Sequence, residues 1–142
     1  MEEHFEIFPI GMVRKRDERV TIEINPAYEG GLMGLDQNSH IIVFSWFQKS
    51  DTPEKRKTLQ VHPRGNKANP LTGVFATRSP VRPNPISIST CKISSIDGRQ
   101  IHVDAIDAFD GTPVIDIKPY VPRLDAMSKV RMPGWAEEKP HH

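Results

Sequence analysis

Short runs of alternating hydrophobic and polar residues recur along this chain, and most of them end at glycine, proline or aspartate. Residues 5–16 (FEIFPIGMVRKR) read as an opening strand interrupted at Pro9 and Gly11, and residues 20–24 (VTIEI) alternate cleanly as a second, with Asp17-Glu18 as the turn between them. Residues 25–36 (NPAYEGGLMGLD) are too rich in glycine for a long helix and predict one or two short turns. The most hydrophobic run, residues 40–47 (HIIVFSWF), is short and rich in β-branched and aromatic side chains, which predicts a buried strand. Residues 50–57 form a polar excursion, and a short strand at 59–62 leads into a basic loop at 63–70 (PRGNKANP). Residues 86–96 and 101–106 flank a turn at Asp97-Gly98 and predict a hairpin. A tight loop at 107–113 (DAFDGTP) precedes a returning strand at 114–118 (VIDIK), and the tail from Pro122 is irregular with one helical turn. Many short strands and little helix predict a mainly β fold, a barrel or a sandwich.

With 142 residues, 37% of them hydrophobic and 26% charged, the chain predicts one globular domain with a proper core. No apolar run approaches the roughly 18 residues of a membrane span. The acidic start at Met1-Glu2-Glu3-His4 is no secretory signal, so a cytoplasmic protein without a membrane partner is expected. The single Cys91 has no internal disulfide partner and falls in a strand-like run, which predicts a small buried hydrophobe. Charge changes the picture more. Residues 49–82 carry eight basic residues against Asp51 and Glu54, a local +6 inside a chain of net +1. Such concentration is the footprint of a polyanion partner, although a solvated lysine loop around residues 52–58 accounts equally well for Lys55 and Lys57.

The chain is organised around residues 72–90 (TGVFATRSPVRPNPISIST), where Arg78 and Arg82 share a loop with Pro80, Pro83 and Pro85. Each proline fixes its own φ and biases the residue before it toward extended conformations, so the loop is ordered before anything binds it. Guanidiniums in such a loop suit a phosphate or carboxylate, and Ser79 and Asn84 add neutral hydrogen-bonding groups. The alternative is a stiffened corner between two strands in which both arginines pair local carboxylates.

Other chemistries find little support. The six histidines have no ligand-like spacing and one cysteine cannot build a cysteine-rich zinc site, so metal binding is not expected. Gly30, Gly31 and Gly34 make no dinucleotide or phosphate-loop fingerprint, which disfavours a Rossmann fold, and no nucleophile motif occurs. What remains is a cationic loop and an acidic one bearing Asp107 and Asp110. Facing one pocket, they could grip a zwitterionic or cationic small molecule; alternatively, the two aspartates simply make a turn into Gly111.

The run GVFATRSPVRPNPIS resembles the signature of the TsaA/YaeB-like family, the TrmO-type tRNA methyltransferases, whose usual form ends in PNPIG. Further matching pieces follow in the same order: Ile10-Gly11-Met12-Val13-Arg14, Gly34-Leu35-Asp36-Gln37-Asn38-Ser39-His40, and residues 107–120 (DAFDGTPVIDIKPY). The resemblance implies a small single-domain β-barrel over residues 1–135 with short helical turns, followed by a tail at 136–142 in which His141-His142 reads as a tag remnant. It implies a homodimer that binds S-adenosylmethionine without a Rossmann fold and methylates N6 of N6-threonylcarbamoyladenosine at tRNA position 37, in threonine tRNA. Carried over residue by residue, the cofactor positions fall on Lys15, Arg16 and Asp17, on Ser39 and His40, on Arg78, on Ile88, and on Asp107, Ala108, Phe109 and Asp110. The departing proton of the acceptor nitrogen calls for a base, for which Asp110, Tyr120 and His40 are candidates. Arg64, Lys67 and Arg82 are the candidates for contact with RNA.

Three departures from the family pattern bear on this expectation. Ser87 stands where the family has glycine, and a side chain there would weaken cofactor binding if the position needs positive φ or close approach. Lys15-Arg16 replaces a typical Ser-Pro. Many bacterial relatives carry an added C-terminal domain, whereas this sequence stops soon after Trp135. Two alternatives stay open: a methyltransferase of the same family acting on a small molecule, and a non-catalytic barrel that binds RNA or protein.

Overall fold

The barrel begins with a tight hairpin. Asp17 and Glu18 both adopt left-handed backbone, with φ of 49° and 68°, the pair of conformations whose twist matches that of the flanking strands in a two-residue turn. Strands β1 (Gly11–Arg16) and β2 (Arg19–Ile24) therefore pair antiparallel with Arg16 opposite Arg19. The computed structural model describes residues 3–137, so the final pair His141-His142 lies outside the described residues. Two 3-10 turns, Pro26–Leu32 and Leu35–Gln37, lead to β3 (His40–Trp46). A five-residue helix α1 (Pro53–Lys57) follows, then a small separate ladder of β4 (Gln60–Val61) and β5 (Thr72–Gly73). The chain continues through β6 (Ile86–Asp97), β7 (Gln100–Val103), β8 (Pro113–Pro119) and a last helical turn α2 (Pro122–Asp125).

Six strands close in the order β1-β2-β7-β6-β3-β8, with every neighbouring pair antiparallel and β8 returning to β1. Closure satisfies the backbone groups that an open sheet leaves at its edges. Period-two alternation sends one side chain of each pair inward. Val13, Ile22 and Ile101 lie in register across β1, β2 and β7, while Ile41 meets Cys91 across β3 and β6. These residues, with Val43, Val103, Ile106 and Val114, form the core. Burial pushes the Cys91 thiol up from 9.0 to about 11. Because the folded state holds that proton more tightly, the associated stability is intact below pH 9.0 and is lost as pH climbs through 11.

The structure corrects several sequence-based boundaries. The opening strand starts at Gly11, since Pro9 lacks an amide donor and Phe5, Ile7 and Phe8 stand exposed. The second hairpin turns at Gly98-Arg99, one residue later than expected, with Gly98 supplying the positive φ, and β7 ends at Val103 rather than at Ile106. The polar excursion contains α1, whose start is set by the Thr52 hydroxyl accepting from the Lys55 amide at 3.2 Å and by Pro53 in the first position. Five residues are too few to show helical periodicity. Among the described residues no helix is long and apolar enough to cross a membrane, and no cluster of His, Cys, Asp or Glu is arranged to hold a metal ion.

A Cβ at Gly11 would collide with the Glu23 carbonyl on β2, whereas one at Gly30 would meet nothing among the described residues. Gly11→Ala should cost about 1–3 kcal/mol in a denaturant titration, and Gly30→Ala should leave stability within experimental error. Iodoacetamide at mildly alkaline pH should label Cys91 only after unfolding; labelling of the native protein would show that the thiol is reachable.

Candidate functional site

Arg56 braces the proline loop from α1. Its Nε donates to the Pro83 carbonyl at 2.7 Å, one terminal nitrogen donates to Asn84 Oδ1 at 3.1 Å, and the other to Asp51 Oδ1 at 3.1 Å. Asp51 also accepts from the Trp46 indole, and the Arg56 guanidinium lies 5.6 Å from that ring. Inside the loop, Arg82 donates to the carbonyls of Thr77 and Ser79 at 3.2 and 2.9 Å, so it holds its own loop together. Pro85 is fully buried, and its carbonyl accepts from the Phe47 amide at 2.7 Å. Among the described residues, neither arginine of the loop pairs a carboxylate. Arg82 serves backbone carbonyls and Arg78 stays exposed.

The acidic loop crosses the same end of the barrel. Ile106 plugs the core beneath it. Lys15, at the end of β1, latches the loop twice, through Nζ to the Ile106 carbonyl at 3.0 Å and through its amide to Asp110 Oδ1 at 2.9 Å. The Gly111 amide closes the turn onto the Val13 carbonyl at 2.7 Å, with Gly111 at φ 87°. Ala108 packs against the core, and Phe109 projects outward with the Lys49 ammonium 4.1 Å from its ring centroid.

Between these loops lies a groove of about 560 Å³ that brings together Arg78, Ile88 and Asp107, three residues expected at the cofactor site. Phe44, Phe47 and Phe75 complete its apolar walls. The size is that of a cofactor pocket, and its chemistry suits a zwitterion carrying an aromatic ring: a guanidinium for a carboxylate, a carboxylate for an ammonium, rings for stacking. The three phenylalanines were not anticipated, because aromatic residues in β-rich sequence read equally well as core. A register shift between β3 and β8 falls at Phe44/Ser45, beside this groove, where bulges re-aim side chains.

Ser87 lines the groove, so the structure answers only the conformational half of the concern that its sequence raised. It sits within regular β6 opposite Ser45, without positive φ, and its hydroxyl is buried against the Ser45 hydroxyl and carbonyl. A glycine is therefore not required there by backbone conformation.

Not every expected residue converges. Ser39, His40 and Tyr120 gather at the opposite end of β3, where Ser39 Oγ lies 2.7 Å from His40 Nδ1 and the His40 and Tyr120 rings are 6.4 Å apart. Four strand positions separate His40 from Phe44, a run of ~13 Å at the usual rise. Arg16 and Asp17 line a shallow surface with Arg14 and Arg19 on the outside of the first hairpin. Arg64 and Arg78 share a second groove on the other side of the proline loop, and Lys67 is exposed in the basic loop nearby.

Comparison with known proteins matches the profile of the tRNA-methyltransferase O N-terminal domain to residues 2–126. A Pyrococcus horikoshii protein named as a probable S-adenosyl-L-methionine-binding protein is 53% identical over 123 residues, covering 87% of this chain and 88% of the relative. The human tRNA (adenine(37)-N6)-methyltransferase is 42% identical over 105 residues, 74% of this chain but only 23% of the human protein. Among solved structures, TrmO from Pseudomonas aeruginosa superposes with a TM-score of 0.76 at 29% identity, over 98% of this chain and 66% of that one. The chain thus spans most of its archaeal relative and a smaller part of the bacterial and human proteins.

Bracing by Arg56 can be tested without any ligand. Arg56→Ala should speed amide hydrogen exchange between residues 79 and 86, and Arg56→Lys should restore little, since one ammonium cannot reach three divergent acceptors. Unchanged exchange in Arg56→Ala would mean that the prolines alone hold the loop.

Proposed function

The chain belongs to the family of the tRNA-methyltransferase O N-terminal domain, and on that premise we propose that it is an S-adenosylmethionine-dependent tRNA methyltransferase acting in the cytoplasm on N6 of N6-threonylcarbamoyladenosine at position 37 of threonine tRNA. The observation that carries this reading is the meeting of Arg78, Ile88 and Asp107 in one groove walled by three phenylalanines. When bound, S-adenosylmethionine supplies a methyl group already activated by its sulfonium. The protein's task is then positioning and exclusion of water. Arg78 would hold the carboxylate end and Asp107 the ammonium, while the half-buried Phe44 and Phe47 shield the reacting centre from solvent.

The base is assigned by what each candidate is already doing. Asp110 is engaged in latching the acidic loop to the Lys15 amide. His40 has Nδ1 engaged by Ser39 and leaves Nε2 for another partner, with Tyr120 beside it. We assign the proton of the acceptor nitrogen to His40 Nε2. Because His40 stands at the far end of β3, the reading includes a homodimer in which His40 and Tyr120 of one copy complete the groove formed by Arg78 and Asp107 of the other. RNA phosphates would lie along the basic segment, where contacts with Arg64 and Lys67 position the substrate without reading sequence.

Mass spectrometry of nucleosides after incubation with tRNA carrying the threonylcarbamoyl group should show addition of one methyl to that nucleoside. No methylation of this tRNA, with cofactor binding intact, would favour a small-molecule acceptor. A mixture of inactive Arg78→Ala and His40→Ala chains, allowed to exchange subunits, should recover up to about a quarter of wild-type activity, because half of the dimers then hold one intact shared site. No recovery would place the whole site within one copy.

A further inference from the structure

The proline loop has a second side. Phe75, Thr77 and Arg78 form a ridge that walls the donor groove on one face and a larger groove of about 910 Å³ on the other. The far wall of this larger groove comes from the turn at His62–Arg64 and from the C-terminal segment, where Trp135 sits in the 3-10 turn Gly134–Ala136. Three guanidiniums, Arg64, Arg78 and Arg131, point the balance of charge one way, and among the described residues no aspartate or glutamate lines the groove. Two aromatic side chains accompany them, Trp135 half-buried and Phe75 79% exposed.

Cations without matching carboxylates, interleaved with accessible rings, suit an unpaired nucleic-acid strand, whose phosphates take the guanidiniums and whose bases stack on the rings. A free phosphate gives no use for the rings. A duplex keeps its bases stacked on one another and cannot offer them. The shared ridge adds a geometric reason, since Phe75, Thr77 and Arg78 separate a strand lying in this groove from the donor groove.

We propose that this groove binds the unpaired nucleotides flanking the acceptor base, with one base stacked on Trp135 or Phe75 and the adjoining phosphates on Arg64 and Arg131, so that the acceptor crosses the ridge to the methyl donor. This rests on the tRNA-methyltransferase reading above and adds the residues that position the substrate strand. Trp135, Arg131 and Phe75 are positioning residues that touch the substrate away from the reacting atoms.

The test uses the full chain and an RNA hairpin with an unpaired loop, titrated by anisotropy, with S-adenosylmethionine affinity measured in parallel by calorimetry. Trp135→Ala and Arg131→Ala should each weaken hairpin binding, the former roughly 5- to 160-fold, the range for one lost base–aromatic stack. Arg131→Ala should also lower the slope of affinity against salt by about one phosphate contact. Trp135→Phe should keep affinity within about twofold, a rescue that separates stacking from loss of fold, and cofactor affinity should not change in any variant. In methyl transfer, the losses should appear in KM for tRNA rather than in kcat. Hairpin affinity unchanged in both alanine variants, while cofactor binding and methyl transfer persist, would overturn the groove and leave the proposed function standing. Equal competition by polyglutamate or by duplex RNA would likewise overturn it, as a general polyanion surface. Binding of neither hairpin nor cofactor to the unaltered protein would remove both readings together.

Discussion

The guanidinium of Arg56 satisfies three acceptors at once, and the position of the whole proline-arginine loop follows from that contact. Prolines remove torsional freedom, but they do not decide where the loop sits relative to the barrel. Arg56 does so from α1, with Arg82 cross-linking the loop's own carbonyls and the Phe47 amide pinning Pro85. With those three arranged, Arg78 is left facing solvent on a ridge between two grooves, a placement that costs little because its charge stays hydrated until a ligand arrives. The Arg56–Asp51 pair is more than a third exposed on both sides and by itself contributes little to stability. Its value lies in geometry.

Barrel closure provides the matching constraint on the other wall. The core fills the barrel with branched aliphatic side chains, so the loop that crosses its mouth must follow Ile106 inward and is then fixed by Lys15. Lys15 thus has a local role: it ties the end of β1 to the acidic loop. Asp107 and Arg78 end on opposite sides of one groove because two independently braced loops leave the same end of the barrel.

Much of this was legible in the sequence. Period-two alternation located β2, a short run rich in β-branched and aromatic residues located β3, and apolar runs bounded by turn residues located β6 and β8, while the Asp17-Glu18 turn was visible as the polar break between two strands. The signature arginine and the acidic loop marked two walls of the groove. Other features depend on contacts between distant residues and leave no local pattern. Arg56 lies in a run of lysines that reads as solvated loop, yet it reaches residues 83 and 84. Phe44, Phe47 and Phe75 read as core or surface until the fold places them around one cavity. Separation of His40 from Ile88 is a matter of register along β3 and β6, which the sequence of either strand alone does not specify. Closure of the barrel, which brings β8 back to β1, is likewise set by all six strands together.

The claim on which the rest turns is that the groove between the proline loop and the acidic loop holds S-adenosylmethionine through Arg78. Calorimetric titration of S-adenosylmethionine into the unaltered protein and into Arg78→Ala addresses it most directly. Binding to the first that is lost in the second, with both proteins equally stable, is the expected result. Equal affinity in the two would place the cofactor elsewhere on the barrel and contradict the account.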